Sequence, residues 1–476
     1  MKQRALDSTT SQLAGNRSGS LPGAAAPVRS GSWRARSRRA MVLVLATSLF
    51  VVVPARAADE PEPVLTATAI EDTTAPEQSP SAVSARIDKL AKSKVMGKSS
   101  GTIVIDPATD QVLYDNDGSA PLTPASTMKV ITAASALTNI GPNTTIPTIT
   151  SIEPDTNRTY LVGGGDPLLD SRQFQTDPAD PTYPDGTSMK RLVTQTAARL
   201  RGLDQTSIEL FYDASLFTGP DYHPDWFERY QDQGNVGRVS ALVVDDGRAT
   251  RWSRAEDPAR AAADRFAAML GQQGIKVNSV KPQTAPGSAE EIGRVESVPV
   301  YQLVAEMLTR SDNDTAEALF RLSGIAAGYG GSFEGGAKAS EQTLQELGVS
   351  ALMANIADGS GLSPKDRLAP RTLAEVLVAS VRQEGDLWGV GTALPIGAVD
   401  GTLRYRFSSE ESKSGAGWVR AKTGTLISIT SLAGFTTSRS GRVLVFASIA
   451  NEAPAAYDAS RKIDEIAAQL TECGCN

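Results

Sequence analysis

The segment from Ser126 to Leu137 is dominated by Ala, Met, Val, Ile and Leu. A helix that is apolar all round has no face to offer water, so this one must run through a core with protein on every side. Its surroundings follow from the rest of the chain. Ala82 to Lys94 reads as a helix with Val83, Ile87, Leu90 and Ala91 on one face. Residues 101–106 and 111–114 read as two strands of a hairpin joined by Pro107-Ala108-Thr109-Asp110. Near the other end, Ile429–Phe435 and Val443–Ile449 read as strands flanking a Thr-Ser-Arg-Ser-Gly turn, and Asp458 to Leu470 reads as a terminal helix. Between them lie helical segments at Val298–Leu308, 314–326, 338–347 and 371–382. Strands at both ends and helices in the middle predict an α/β (α+β) fold: an antiparallel sheet assembled from both chain ends, with helices on its faces.

A chain of 476 residues is too long for one ordinary core, so more than one domain is expected. From about residue 140 to 290 the character changes to short β-rich runs and turns, including Gly163-Gly164-Gly165-Asp166-Pro167 and Asp213-Ala214-Ser215. The expected division is a catalytic domain of residues 81–145 and 290–472, interrupted at 146–289 by one or two small β-containing domains. The glycine triplet lacks the spacing and the lysine of a phosphate-binding loop and reads as a tight turn.

The formal net charge is −7, yet residues 1–57 hold nine basic side chains and one acid, which leaves −15 for the remainder. An acidic body does not favour nucleic acid as a partner. The basic start has its own logic. Arg34, Arg36, Arg38 and Arg39 precede an apolar run from Met41 to Val53, and Pro54-Ala55-Arg56-Ala57 supplies a small-x-small cleavage pattern. This is the order of a secretory signal over 1–57, followed by a Pro/Glu/Thr/Ala-rich spacer over 58–80 that is expected to be disordered. The body is expected outside the cytoplasm, and membrane-associated if the signal stays on. Cys473 and Cys475 are the two cysteines and read as a tail without a catalytic role.

Three short motifs carry the chemistry. Ser126-Thr127-Met128-Lys129 comes first, then Ser311-Asp312-Asn313, then Lys422-Thr423-Gly424-Thr425. Ser126 and Lys129, three apart on a helix, share a face, so the amine can reach the hydroxyl. Lysine becomes a base when burial or a second cation lowers its pKa, and both the apolar helix and Lys422 are candidates for that. The single histidine, His223, leaves little room for a serine–histidine triad. Ser311 and Asn313 would point inward, Ser311 as a proton relay and Asn313 as a hold on substrate and Lys129, while capping of the next helix by Asn313 or Ser311 is also open. On a regular strand Lys422 and Gly424 face one way and Thr423 and Thr425 the other. Gly424 leaves room for an extended peptide beside the strand. The Thr425 and Ser126 backbone N–H groups would form an oxyanion hole, with Lys422 and the threonine hydroxyls suited to a carboxylate.

With these motifs in this order the chain resembles the D-alanyl-D-alanine carboxypeptidase/endopeptidase family, the class C type of low-molecular-mass penicillin-binding proteins. The resemblance extends to Leu161 through Pro167, Val239-Ser240-Ala241-Leu242, Asp358-Gly359-Ser360-Gly361-Leu362-Ser363 and Val399-Asp400-Gly401-Thr402-Leu403. Arg238 departs from it, where a small residue or proline is expected. The resemblance implies a penicillin-binding-protein/β-lactamase-like fold with inserted domains. It makes Ser126 the acyl-forming nucleophile, Lys129 its base, Ser311 and Asn313 the relay and substrate hold, and Lys422 the third-motif lysine. It implies a peptidoglycan stem peptide ending in D-alanyl-D-alanine as substrate, β-lactams as covalent inhibitors, and no metal or organic cofactor. Two other readings stand beside it: a β-lactamase, for which no Glu-x-x-Leu-Asn pattern is found, and a non-catalytic binder of cell-wall peptides or β-lactams.

Overall fold

The computed structural model describes residues 76–171, 187–250, 253–351 and 353–475. The expected signal and most of the spacer lie outside the described residues. The chain enters through α1 (Pro80–Ala91), then β1 (Ser99–Ile105) and β2 (Val112–Asn116), and a 3-10 turn over Ala125–Met128 runs straight into α2 (Lys129–Asn139). The insert follows with β3 (Pro147–Ile152), β4 (Arg158–Gly163), α3 (Met189–Gly202), β5 (Ser207–Asp213), the short α4 (Arg229–Asp232), the small hairpin of β6 (Arg248–Thr250) and β7 (Ser253–Arg254), α5 (Pro258–Gln272), β8 (Lys276–Pro282) and β9 (Glu290–Glu296). Then come α6 (Val300–Arg310), α7 (Asn313–Ala326), α8 (Phe333–Glu346), α9 (Pro370–Val381) and α10 (Trp388–Thr392), and finally β10 (Arg420–Leu426), β11 (Ile429–Thr437), β12 (Val443–Asn451) and α11 (Ala456–Thr471).

The first sheet has the order β10-β11-β12-β1-β2 and every pairing in it is antiparallel. The two chain ends meet at β1 and β12, in register from Ser99 opposite Asn451 to Ile105 opposite Val445. Successive side chains of a strand point to opposite faces. In β12, Val443, Val445, Ala447 and Ile449 pack into one core, and Leu444, Phe446 and Ala450 into another. That is why the strand reads as an unbroken apolar run. The first core takes in α2, α6, α7, α8 and α9; the second takes Val83 and Ile87 of α1 with Ile463 and Ile466 of α11. Every residue of α2 from Lys129 to Leu137 is buried, so the helix passes through the core as its composition requires.

Cys473 and Cys475 are bonded to each other and buried in the second core. The Cys475 carbonyl accepts from the Ser79 N–H (2.6 Å), and its own N–H donates to Gln78 Oε1 (3.1 Å). The C-terminal tail therefore clasps the start of α1 instead of trailing free.

The second sheet has the order β8-β5-β4-β3-β9. It is mixed: β5 runs parallel to both β4 and β8, whereas β3 is antiparallel to its two neighbours. Helices α3 and α5 cover it and close a separate core with Leu192, Leu200, Phe266 and Leu270. Two expectations change here. Residues 290–296 belong to the insert's sheet, not to the returning catalytic segment, because β9 pairs with β3 along its length. As an edge strand with the sequence Glu-Glu-Ile-Gly-Arg-Val-Glu it is mostly exposed, and it carries too few apolar residues to announce itself. The insert is also not uniform: Trp226, Tyr230, Val236 and Val239 pack into the first, catalytic core.

Candidate active site

The candidate nucleophile, Ser126, sits on a constrained turn. Ala125, just before Ser126, has φ +49, a left-handed conformation that costs an alanine about 1 kcal/mol. Two hydroxyls hold the turn, since Thr127 Oγ1 and Ser431 Oγ each donate to the Pro124 carbonyl at 2.7 Å. Lys129 follows at the first position of α2 and is fully buried. Its Nζ donates to Ser126 Oγ (3.1 Å), Asn313 Oδ1 (2.6 Å) and the Ser360 carbonyl (2.7 Å). An ammonium has three hydrogens, and all three are used. Burial pushes the lysine down to about 8, opposed by the negative charges of Glu317, Asp358, Asp312 and Asp314. At neutral pH about a tenth of such amines are uncharged and able to accept a proton.

Asp312 links α6 to α7. It caps α7 by accepting the Thr315 N–H at 2.5 Å, so the capping role expected of Asn313 or Ser311 falls to the residue between them. Ser311 closes α6 in a left-handed conformation, φ +62. The Asn313 side chain bridges, accepting from Lys129 and donating through Nδ2 to the Asn235 carbonyl of the insert at 2.7 Å. Hydrogen bonds thus join Ser126, Lys129 and Asn313; none joins the Ser311 hydroxyl to them among the described residues.

The third motif lies on β10, the edge strand of the sheet. Lys422 and Gly424 are buried, Thr423 is half-buried and Thr425 exposed, which is the expected alternation. A Cβ on Gly424 would lie 2.7 Å from the Pro124 carbonyl oxygen and 3.1 Å from the Ser126 nitrogen, so the strand rests directly on the Ser126 turn. Thr423 Oγ1 shares a hydrogen bond of 2.9 Å with Thr402 Oγ1, and Lys422 Nζ donates to the Thr423 carbonyl at 3.0 Å. Burial, then the charges of Lys129 and Arg406, hold Lys422 well below the usual lysine range. The expected repulsion between the two amines is therefore felt by Lys422. Lys129 is surrounded by acids that favour its charge, and its own lowering comes from burial.

Sequence reasoning missed the partners that touch these residues from behind. Ser360 serves through its backbone carbonyl, which leaves no side-chain signature; the signal available was the Asp358-Gly359-Ser360-Gly361 run around it. Glu317, fully buried on α7, accepts the Gly359 and Ser360 N–H groups, and burial pushes its carboxyl up to about 8. His223 packs edge-on against Phe333 and accepts the Asp225 N–H at Nδ1, a structural placement.

A chemical arrangement of hydroxyl, buried amine, amide and edge strand suits acyl transfer through a serine ester. Comparison with known proteins agrees. The family model described as D-Ala-D-Ala carboxypeptidase 3 (S13) matches residues 83–251 and 248–470. A carboxypeptidase of Mycobacterium tuberculosis is 34% identical over 84% of this chain and 86% of its own length. Carboxypeptidase DacB of Mycolicibacterium smegmatis is 33% identical over 78% and 80%. The crystal structure of penicillin binding protein 4 from Haemophilus influenzae shares the fold, with a TM-score of 0.66 at 22% identity, covering 82% of this chain and 98% of that one.

Proposed function

The chain belongs to the D-Ala-D-Ala carboxypeptidase 3 (S13) family and is a serine hydrolase of that kind, and we propose that Ser126 is its acyl-forming nucleophile and Lys129 the general base. One observation carries this reading: a fully buried lysine amine, lowered to about 8, lies 3.1 Å from a serine hydroxyl.

The substrate is a peptidoglycan stem peptide ending in D-alanyl-D-alanine, laid along the open edge of β10 as an added strand. Neutral Lys129 takes the Ser126 proton as Oγ bonds to the carbonyl carbon of the penultimate D-alanine. The Ser126 and Thr425 N–H groups hold the oxyanion. The C–N bond then breaks, the Ser311 hydroxyl passes the proton from Lys129 to the leaving nitrogen, and D-alanine departs. Water attacks the ester with Lys129 again as base, which restores Ser126 and releases the shortened peptide. Asn313 holds the substrate backbone, while Lys422, Thr423 and Thr425 take the terminal carboxylate. In a β-lactam the leaving nitrogen stays tethered to the acyl group, so the same attack gives a long-lived adduct. The arginine-rich, then apolar, then small-residue order of residues 34–57 supports action outside the cytoplasm.

Two assays test the reading. Labelled penicillin should attach to Ser126 and fail to attach to the Ser126→Ala variant, and a D-alanyl-D-alanine pentapeptide should release free D-alanine. Labelling that persists in the alanine variant removes the serine assignment. Amino-terminal sequencing of exported protein tests the leader, and an intact start at Met1 argues against cleavage.

A further inference from the structure

Two consecutive peptide groups are sandwiched between the helix that carries Lys129 and two buried carboxyl groups. In the Gly359–Ser360 peptide, the carbonyl accepts from Thr132 Oγ1 (2.6 Å) and the N–H donates to Glu317 Oε1 (2.8 Å). In the Ser360–Gly361 peptide, the carbonyl accepts from Lys129 Nζ (2.7 Å) and the N–H donates to Asp358 Oδ1 (2.6 Å). Thr132 and Lys129 are three apart on α2 and so face the same way. The loop has little freedom to shift. A Cβ on Gly359 would lie 2.6 Å from the Phe320 Cβ, and one on Gly361, at φ +83, would lie 1.9 Å from the Ala125 carbonyl oxygen.

The consequence concerns the direction of a lone pair. A neutral amine has two hydrogens and one lone pair. If Asn313 Oδ1 and the Ser360 carbonyl take the hydrogens, the lone pair is left for the Ser126 hydroxyl. A carboxyl accepting on the far side of each peptide polarises it and strengthens its carbonyl as an acceptor, Glu317 the more so as it ionises near pH 8. We propose that Glu317 and Asp358 are positioning residues of the reaction: through the two peptides on either side of Ser360 they fix the carbonyl that turns the Lys129 lone pair toward Ser126. This rests on the reading of Lys129 as general base. The charged groups acting on Lys129 are Glu317, Asp358, Asp312 and Asp314, and Lys129 in turn repels Lys422. Behind them, Asp366 and His223 feel the charge of Asp358, and Arg321 that of Glu317.

The test is the rate of penicillin acylation, per labelled molecule, followed from about pH 6 to about pH 10 in the full-length protein and its variants. Glu317→Gln should lower the plateau rate about ten- to a hundredfold, the scale of a misplaced reacting group, and leave the KM for a soluble pentapeptide little changed. It should also move the midpoint of the rise to lower pH, because the charge that Glu317 takes on as it ionises near pH 8, which favours the protonated amine, is gone. Glu317→Asp keeps an ionisable carboxyl and should restore the midpoint. Thr132→Val acts on the same peptide from the other side without changing any charge, so it should lower the plateau and leave the midpoint alone. A plateau and midpoint within twofold of the parent in Glu317→Gln, with only thermal stability reduced, overturns the proposal. Should that variant fail to fold, a parental plateau in Thr132→Val overturns it. An unmutated protein that takes up no penicillin sinks the nucleophile-and-base reading itself, whereas a labelled parent with unaffected variants sinks the positioning role alone.

Discussion

The indole of Trp226 donates to Asp358 Oδ2 at 2.6 Å. Trp226 comes from the insert, and Asp358 belongs to the loop that supplies a carbonyl to Lys129. Together with the Asn235 carbonyl, which accepts from Asn313, this gives the segment around residues 226–235 two grips on the machinery around the base. The insert therefore touches the proposed active site through two hydrogen bonds.

Trp226→Phe removes the indole donor and keeps an aromatic ring in a pocket where Trp226 meets Tyr222 and Phe333 edge-on. Losing one partner of a buried carboxylate should destabilise the protein by about 1–3 kcal/mol. The acylation rate should fall more than penicillin affinity does. Thermal unfolding and stopped-flow acylation measure the two effects separately.

Acylation should rise with pH and level off above about 8, the value to which burial lowers Lys129. The sign follows from the role, since the base must be unprotonated. Replacement by methionine, which keeps the apolar stem and cannot accept the proton, should cost about 10²- to 10⁴-fold in rate. A pH–rate profile of penicillin acylation checks both statements.

Gly424→Ala would drive a methyl group against Ser431 Oγ, the Pro124 carbonyl and the Ser126 nitrogen, at 2.2, 2.7 and 3.1 Å. Two of the three are backbone atoms, so β10 must move off the turn. We expect a stability loss of about 1–3 kcal/mol from overpacking and an acylation rate about a hundredfold lower from the displaced strand. Differential scanning calorimetry and penicillin labelling report the two.

Glu306, Asp314 and Glu317 are all raised by burial, to about 7, 7 and 8. An acid raised in the folded state binds more protons there than when unfolded. Its stabilising contribution is complete below about 4 and lost as pH rises through the folded value. These three groups should therefore make Tm fall between about pH 5 and pH 8. Glu306→Gln, which removes one of the three titrations, should narrow the Tm difference between those two pH values in calorimetric scans.

The legible parts of this chain were those written in periodicity. The all-apolar α2 and the alternate burial of Lys422, Thr423, Gly424 and Thr425 could be read because side-chain direction follows from position. The sheet joined from both chain ends followed from where the apolar strands fell. What escaped was whatever depends on backbone atoms and distant burial. The Ser360 carbonyl looks like every other carbonyl in a sequence. Glu317 reads as an ordinary helix glutamate until Gly359 and Ser360, more than forty residues later, fold over it. The weak pattern of β9 hid its pairing with β3, because edge strands are held by backbone hydrogen bonds and need few apolar side chains.

The Ser126 turn is closed by Ser431, 307 residues further along the chain than Pro124, and β10 and β12 also come after the insert. During synthesis, hydroxyl and amine emerge long before the strand that backs them. A nascent or truncated chain ending before residue 420 would hold both reactive groups and lack the Thr425 N–H that completes the proposed oxyanion hole. The two proposed oxyanion donors thus come together only after the last strands have been made.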